Sequence, residues 1–331
     1  MRNYTFVDYA TQAYQVMTAG LILLFHNGTV DCWSFRVAAH LAAIFVVHGL
    51  IQWNATRPNA VFNFLRHFYP VLFYTWFFNE TGHLNRMFFD DYLDPVFIRW
   101  DQAIFGFQPS VEFMNALPSV IVSELFYASY FSYYLMISGI GLALYLRSRP
   151  QFFHFVSVVS FVFYVCYTIY IFLPVIGPRT FFREVEGYSL PAAVLAFASS
   201  ADYPAAVQQG LFYRIMAWIY HQFESPGAAM PSSHVAVALT TLYFSFKYLP
   251  RLRWWHLVMV VLLCFSTVYC RYHYVVDIAA GVLTAVLLVP AGDWLYLRMR
   301  RPELESGEGT DSEVPPAGKM APLRIGSEAE K

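Results

Sequence analysis

The chain consists mainly of long apolar runs that are separated by short polar connectors. Seven runs have the composition of transmembrane helices, which need about 20 apolar residues, and an eighth, weaker run contains Pro70. The predicted spans are residues 9–25, 36–53, 125–146, 152–173, 234–249, 254–270 and 274–297, with residues 64–78 as the weaker candidate. A backbone in lipid must satisfy its own hydrogen bonds, as a helix does. We therefore expect an all-α polytopic membrane protein with about seven or eight spans.

Composition favours the same class and excludes others. Hydrophobic residues make up 58% of the 331 residues and charged residues 13%, whereas soluble domains have roughly 25% charged residues. The mean hydropathy is +0.44. A net charge of -1 gives no reason to expect nucleic acid as a partner. The four cysteines have neither the spacing of a metal site nor that of a disulfide framework.

Basic residues indicate how the spans are oriented. They cluster in the connectors at residues 147–149, 247–253 and 298–301. The positive-inside rule assigns these connectors to the cytoplasm. Residues 174–233 and the turn at 270–273 should therefore lie on the opposite side of the membrane.

Three polar clusters fall on that opposite side, each at the end of an apolar run. They are Gly177-Pro178-Arg179, Pro231-Ser232-Ser233-His234, and Arg271-Tyr272-His273 followed by Asp277. Composition alone does not force this coincidence. Their shared position predicts that the three clusters form one site at the non-cytoplasmic headgroup level.

His273 and Asp277 are four residues apart, so on a helix they share one face. A carboxylate one turn away can accept the ring N–H of His273, fix its tautomer and leave the other nitrogen free to attack. Ionisable residues at a membrane boundary are costly unless they are paired or functional. The pair alone leaves a structural hydrogen bond at a helix end as the alternative.

The motif that ends at His234 opens a predicted span. Serine is a favoured helix cap, and the first turn of a helix presents unpaired N–H groups that attract anions. We expect the N–H groups near Ser232 and Ser233 to hold a phosphate, beside which His234 protonates a leaving alkoxide. The alternative is an ordinary capped helix start with a histidine at the interface.

Arg179 and Arg271 are the candidate cations for the same phosphate. A phosphoryl group that develops charge on its oxygens needs fixed cations, and guanidinium groups suit it. Each arginine, taken singly, has an interfacial anchor as its alternative role. Their predicted position on one face favours a phosphate site.

The order of these motifs resembles the type 2 phosphatidic acid phosphatase superfamily. An arginine motif comes first, then Pro-Ser-x-His, then a histidine with an aspartate four residues later; the resemblance covers roughly residues 120–297. It implies a six-helix core, a phosphohistidine intermediate and no metal or other cofactor. It also implies that His234 is the general acid, His273 the nucleophile and Asp277 the residue that orients it.

Departures from the usual pattern favour one branch of that superfamily. The usual lysine seven residues before the arginine is replaced by Phe172, and the usual arginine six residues before the nucleophile by Thr267. The string from Thr267 to Asp277 looks like the inositol phosphorylceramide synthase branch, as does the segment from Asp94 to Pro109. The resemblance therefore implies a phosphotransferase that acts on lipids, with a lipid phosphate phosphatase as the alternative.

The expected partners are membrane lipids: a phospholipid donor, and a lipid alcohol or water as acceptor. A transporter or scaffold that only binds headgroups is a further alternative, although few charges lie deep in the spans. The host would be a bacterial inner membrane or a eukaryotic endomembrane, and the sequence leaves the oligomeric state open. We expect N-terminal helices and an interfacial segment in residues 1–120, a catalytic membrane core in residues 121–300, and a disordered cytoplasmic tail in residues 301–331.

Two outward segments carry weaker predictions. An amphipathic stretch at residues 206–223 should lie along the interface and cover the site. Four aspartates alternate with apolar residues, and we expect them to form a solvated helix face rather than to contact the substrate; they are Asp90, Asp91, Asp94 and Asp101.

Overall fold

The computed structural model describes residues 3–57, 59–182, 202–223 and 225–300. The described residues form thirteen helices, and an isolated β-bridge joins Val175 and Ala228. The helices are α1 (Phe6–Phe25), α2 (Trp33–Thr56), α3 (Ala60–Leu84), α4 (Asp94–Phe105), α5 (Pro109–Ala116), α6 (Val120–Arg147), α7 (Arg149–Phe172), α8 (Pro178–Phe181), α9 (Ala205–Gln208), α10 (Leu211–Phe223), α11 (Ser233–Tyr248), α12 (Arg253–Tyr269) and α13 (Val275–Met299). The tail predicted to be disordered lies outside the described residues.

Each of the eight predicted spans coincides with a long helix, which confirms the all-α membrane class. Four of the described helices, α2, α6, α7 and α13, are long and apolar enough to cross a membrane by length and composition alone. α11 and α12 are shorter, with 16 and 17 residues. α3 carries Arg66, which forms a buried ion pair with Asp8 of α1, and Glu80, which pairs with the half-buried Arg36 of α2. The number of spans therefore stays a prediction.

Helix α7 is the centre of the bundle. It is apolar on every face, as a helix surrounded by protein must be, and it packs against α1, α3, α6, α11 and α13. Its buried residues include Val158, Val159 and Val162, with no measurable exposure. This packing fixes the ends of the surrounding helices relative to one another.

The predicted cytoplasmic connectors meet at one end of the bundle. Lys247 Nζ and His154 Nε2 each lie 2.7 Å from Asp293 Oδ1, and Arg147 donates a hydrogen bond to the carbonyl of Tyr248 at 2.6 Å. The other end holds the C-terminus of α7 and the N-termini of α11 and α13, where the three polar motifs lie. The two sets of motifs thus occupy opposite ends, as the orientation argument requires.

Short helices cover the end that holds the polar motifs. The carboxylate of Glu124 accepts hydrogen bonds from the backbone N–H of Phe212 (2.9 Å) and of Tyr213 (3.3 Å), at the start of α10. A carboxylate at a helix N-terminus is favoured by the helix dipole. α10 therefore packs on α6 and lies over the site, in agreement with the predicted covering segment.

Candidate active site

Two imidazoles face each other where α11 and α13 begin. His273 Nε2 lies 3.3 Å from His234 Nδ1, and the ring centroids are 5.5 Å apart. His273 is 3% exposed and His234 is partly buried. The structure thus brings together two predicted site residues that are 39 positions apart in the chain.

Asp277 holds the far side of the His273 ring. Its Oδ2 lies 3.4 Å from His273 Nδ1 and accepts a hydrogen bond from the backbone N–H of Tyr274 at 2.9 Å. The second contact caps the first turn of α13, because an acidic side chain three residues into a helix can reach back to the capping residue. The first is longer than a good N–H···O hydrogen bond, as catalytic contacts often are before substrate binds. Asp277 is therefore placed to orient His273.

His273 lies in the turn between two helices, and burial lowers its pKa to about 4. A pKa below the ordinary value of 6.5 keeps the imidazole neutral at pH 7. A neutral ring with one nitrogen facing a carboxylate has a lone pair on the other nitrogen. That second nitrogen is Nε2, which points to His234.

The His234 ring contacts the rings of Tyr130 and Tyr133, at centroid distances of 4.9 and 4.5 Å, and Tyr220 and Tyr272 pack beside Tyr130. The hydroxyl of Tyr130 lies 2.9 Å from His234 Nε2 and also bonds to the hydroxyl of Tyr220. The Tyr272 ring packs against both, with centroid distances of 4.4 Å to Tyr130 and 4.3 Å to Tyr220. Tyr130, Tyr220 and Tyr272, here called the tyrosine cluster, hold the imidazole of His234 through the hydroxyl of Tyr130. Tyrosines are abundant in the spans, so nothing in the pattern singled out these three.

Arg179 lies against the tyrosine cluster. Its guanidinium carbon is 4.5 Å from the centroid of the Tyr220 ring and 5.6 Å from that of Tyr272, within the range of a cation–π interaction. Gly177, two residues earlier, has φ of +87°, and a Cβ there would lie 2.6 Å from the carbonyl oxygen of Tyr272. Glycine is therefore required for this loop to approach the turn that carries His273.

Ser232 and Ser233 begin α11, but their backbone N–H groups already have protein acceptors. Ser232 N donates to the carbonyl of Asp277 at 3.1 Å, and Ser233 N donates to the hydroxyl of Tyr170 at 3.1 Å. The Ser232 hydroxyl caps the helix by accepting from Val235 N at 3.3 Å. These amides could hold a phosphate, as the sequence predicts, only if both bonds opened.

Arg271 is buried near the histidines, but its guanidinium is engaged elsewhere. Nη2 donates to Asn115 Oδ1 at 2.9 Å, Nη1 lies 3.5 Å from the carbonyl of Asp202, and the Tyr203 ring centroid is 5.0 Å from the guanidinium carbon. The residue has φ of +61°, which an L side chain rarely adopts. The structure therefore brings Arg179 to the tyrosine cluster and directs Arg271 towards α5.

The prediction of a solvated aspartate face is wrong for two of its four members. Asp90 and Asp91 are exposed, whereas Asp94 and Asp101 are fully buried. Asp94 accepts hydrogen bonds from Ile176 N, Gly177 N and the Tyr274 hydroxyl, all within 2.9 Å. Asp101 accepts from the N–H groups of Val275 (2.9 Å) and Val276 (3.1 Å). The pattern misled because alternation shows which face of a helix is polar, but not whether that face meets water or backbone donors.

An apolar cavity of about 600 Å³ ends at His234 and Ser233. Its floor is α7, its two walls are α3 and α6, and Tyr220 and Phe223 of α10 close its outer end. Val71 and Leu142 on the two walls are exposed, so the cavity opens towards the bilayer between α3 and α6. The lining on α7 runs from residue 152 to residue 167, about 22 Å at 1.5 Å per residue.

The fold and the site define a helical membrane protein in which His234, one of two facing imidazoles, lines an apolar cavity. A sequence model described as the PAP2 superfamily matches residues 96–291, which is more than half of the chain, and the chain belongs to this superfamily. Its members are phosphatases and phosphotransferases. No curated protein and no solved structure matches the chain.

Proposed function

We propose that this protein is a lipid phosphotransferase that moves a phosphoester group between lipids through a covalent intermediate on His273, like inositol phosphorylceramide synthase. One observation carries the proposal: His234, which faces His273 at 3.3 Å, lines one end of an apolar cavity whose wall residues Val71 and Leu142 are exposed. A soluble phosphoester would have no need of such a cavity. A lipid donor can place its phosphate between the imidazoles and its acyl chain on α7.

The first half-reaction starts with the neutral His273. Its Nε2 lone pair attacks phosphorus, the bond from phosphorus to the leaving oxygen breaks, and His234 transfers a proton to that oxygen. The phosphate must enter between the two rings, which are now in direct contact at 3.3 Å. The positive charge that develops on His273 is stabilised by Asp277 through Nδ1–H.

The second half-reaction reverses these roles. His234, now neutral, accepts the proton of an acceptor hydroxyl, the acceptor oxygen attacks phosphorus, and the bond to His273 Nε2 breaks. Arg179 lies against the tyrosine cluster that holds His234, and it would stabilise the charge on the phosphoryl oxygens. Protein side chains supply every step as written, so activity should persist in the presence of a chelator.

Water as the acceptor gives the alternative function, a lipid phosphate phosphatase. The cavity accommodates the apolar chains of a lipid substrate in either case. The transferase is preferred because Phe172 and Thr267 stand where the superfamily's usual lysine and the phosphatase branch's usual arginine would be. The deciding experiment supplies purified protein with a lipid donor labelled in its phosphate, with and without a lipid alcohol. Labelled lipid product supports the transferase, and labelled free phosphate or phosphomonoester from water supports the phosphatase.

The nucleophile is tested by the same assay. His273→Ala should abolish turnover and the acid-labile labelled protein that the wild type forms with donor alone. The matched control is His256→Ala, since His256 is also buried but bonds to Thr241 and Ser245 within the bundle. Near-normal turnover by His273→Ala would refute the assignment. We further propose that the site faces the non-cytoplasmic side, because the basic connectors lie at the opposite end.

A further inference from the structure

The fully buried carboxylate of Asp94 joins two loops of the active site. Asp94 Oδ2 accepts from Ile176 N at 2.9 Å, and Oδ1 accepts from Gly177 N at 2.8 Å. Oδ1 also accepts from the Tyr274 hydroxyl at 2.9 Å. One loop leads to Arg179, and the other carries His273, the residue before Tyr274.

All three partners of this carboxylate are hydrogen-bond donors. A buried carboxyl group is costly unless its oxygens are hydrogen-bonded, and bonds to an ionised acceptor are the stronger ones. Burial raises the pKa of Asp94 to about 7, while the three hydrogen bonds lower it. What matters for the geometry is the number of accepting lone pairs, which an aspartate supplies on both oxygens and an asparagine on one.

Asp101 repeats the arrangement about two helical turns further along the same face of α4. It accepts from the N–H groups of Val275 and Val276. These groups have no acceptor within α13 because they lie in its first turn. α4 therefore holds both the loop that leads to Arg179, through Gly177, and the start of the helix that carries Asp277. Its packing against the apolar cluster of Phe181 and Tyr274 keeps water away from these bonds.

We propose that Asp94 is a positioning residue, which fixes the loop of Arg179 against the turn of His273 so that phosphate and nucleophile meet in the reactive geometry. This inference rests on the proposed function and adds a residue to that site. Asp94 touches neither the histidines nor a substrate group, so its effect on catalysis is exerted through Gly177 and Tyr274. Asp101 supports it by holding the first turn of α13.

The test compares Asp94→Asn, Tyr274→Phe and the double variant with Asp91→Asn, which changes an exposed aspartate of the same segment. The asparagine must turn its NH2 group towards a backbone N–H, so one bond is lost and one donor is opposed by another. Misplacement of a reactive group by about 1 Å costs about 100-fold. We expect Asp94→Asn to lower kcat about 10- to 100-fold with KM for the lipid donor changed less than about threefold, and Asp91→Asn to behave as the wild type.

Orthovanadate, which mimics the phosphoryl group in transfer, provides a readout that a purely structural role would not move. Its binding to Asp94→Asn should weaken by about the same factor as kcat falls. A thermal unfolding measurement should show that the variant remains folded. The double variant should have a kcat no lower than that of Asp94→Asn, because both substitutions act on the same hydrogen bond between Asp94 and Tyr274. If Asp94→Asn does not fold, Tyr274→Phe carries the test, since it retains the ring and removes only the hydroxyl.

Two results would overturn the inference and keep the proposed function. One is wild-type kcat and vanadate affinity in Asp94→Asn; the other is a loss of activity that only follows the fraction of unfolded protein. Failure of the proposed function looks different: the wild type itself would neither turn over lipid phosphoesters nor bind vanadate, and the inference would fall with it.

Discussion

Gly281 of α13 lies against the residues that begin α11, and its replacement should misplace His234, the proposed general acid. A Cβ at this position would lie 2.6 Å from the carbonyl oxygen of Ser232 and 3.1 Å from the Cβ of Val235, where ordinary contact begins at about 3.4 Å. The nearest atom is backbone and cannot rotate away. The start of α11 must therefore move by about 0.8 Å in Gly281→Ala, and His234 is two residues from the displaced carbonyl.

The expected cost falls mainly on catalysis. Overpacking of this kind destabilises a protein by about 1–3 kcal/mol. A shift of almost 1 Å in a group that must meet the leaving oxygen lowers the rate by up to about 100-fold. We expect Gly281→Ala to reduce kcat/KM between about 10- and 100-fold while most of the protein remains folded at 25 °C.

Gly292 provides the matched control on the same helix. A Cβ there would lie 3.1 Å from side-chain atoms of Phe161 and of Val158, at the end of α13 away from the site. Gly292→Ala should lower thermal stability but keep kcat/KM within about threefold of the wild type. The assay is turnover of labelled lipid donor in detergent micelles, together with thermal unfolding of both variants. Equal losses of kcat/KM in both would refute the argument, because the effect would then follow stability alone.

Three further predictions concern the nucleophile and the cavity. Asp277→Asn should lower kcat about 1000-fold, because the amide no longer fixes the tautomer of His273; Asp293→Asn at the other end of α13 is the control, and a loss below about tenfold would contradict the orienting role. With a phosphodiester donor, whose own charge is constant in this range, the acid limb of kcat/KM should fall near pH 4 rather than 6.5, because burial lowers the pKa of His273 to about 4. An acid limb at pH 6.5 in this pH–rate profile would show that the ring is solvated. For the same reason, the stability that the neutral ring of His273 contributes to the fold is complete above pH 6.5 and is lost as the pH falls towards 4. Ile137→Trp, which fills the cavity beside α6, should raise KM for long-chain donors at least about tenfold and spare short-chain donors. Leu135→Trp, on the exposed face of α6, should change neither, and an equal effect of both tryptophans would argue against an acyl-chain site.

Most of the features that position the candidate site could be predicted from the sequence. Apolar runs have the length of the helices that they form, so all eight predicted spans appear as helices. The spacing of His273 and Asp277 is one helical turn and is visible in any sequence. The orientation argument also brought three remote motifs to one end, because a chain that crosses the bilayer in known directions has little freedom in where its connectors lie.

Other parts of the site depend on tertiary geometry that no local pattern encodes. Tyr130 reaches His234 because α6 packs beside α11, and a tyrosine in an apolar span gives no hint of this contact. The guanidinium of Arg271 turns to Asn115 because the backbone of Arg271 itself takes a left-handed conformation. Charge and position in the chain predicted a phosphate ligand, and only the backbone angle shows where the side chain is directed.

The hydrogen bonds of α4 also bear on where the proposed catalytic unit begins. Those of Asp94 and Asp101 cross the boundary predicted near residue 120, and they end on the loop of Gly177 and on the first turn of α13. A polypeptide that began at α6 would leave these backbone N–H groups without their acceptors in a buried position, each at a cost of about 1–3 kcal/mol. The superfamily match begins at residue 96, within α4. We therefore expect α4 to belong to the unit that builds the proposed active site, although its 12 residues are fewer than the about 20 that a span needs.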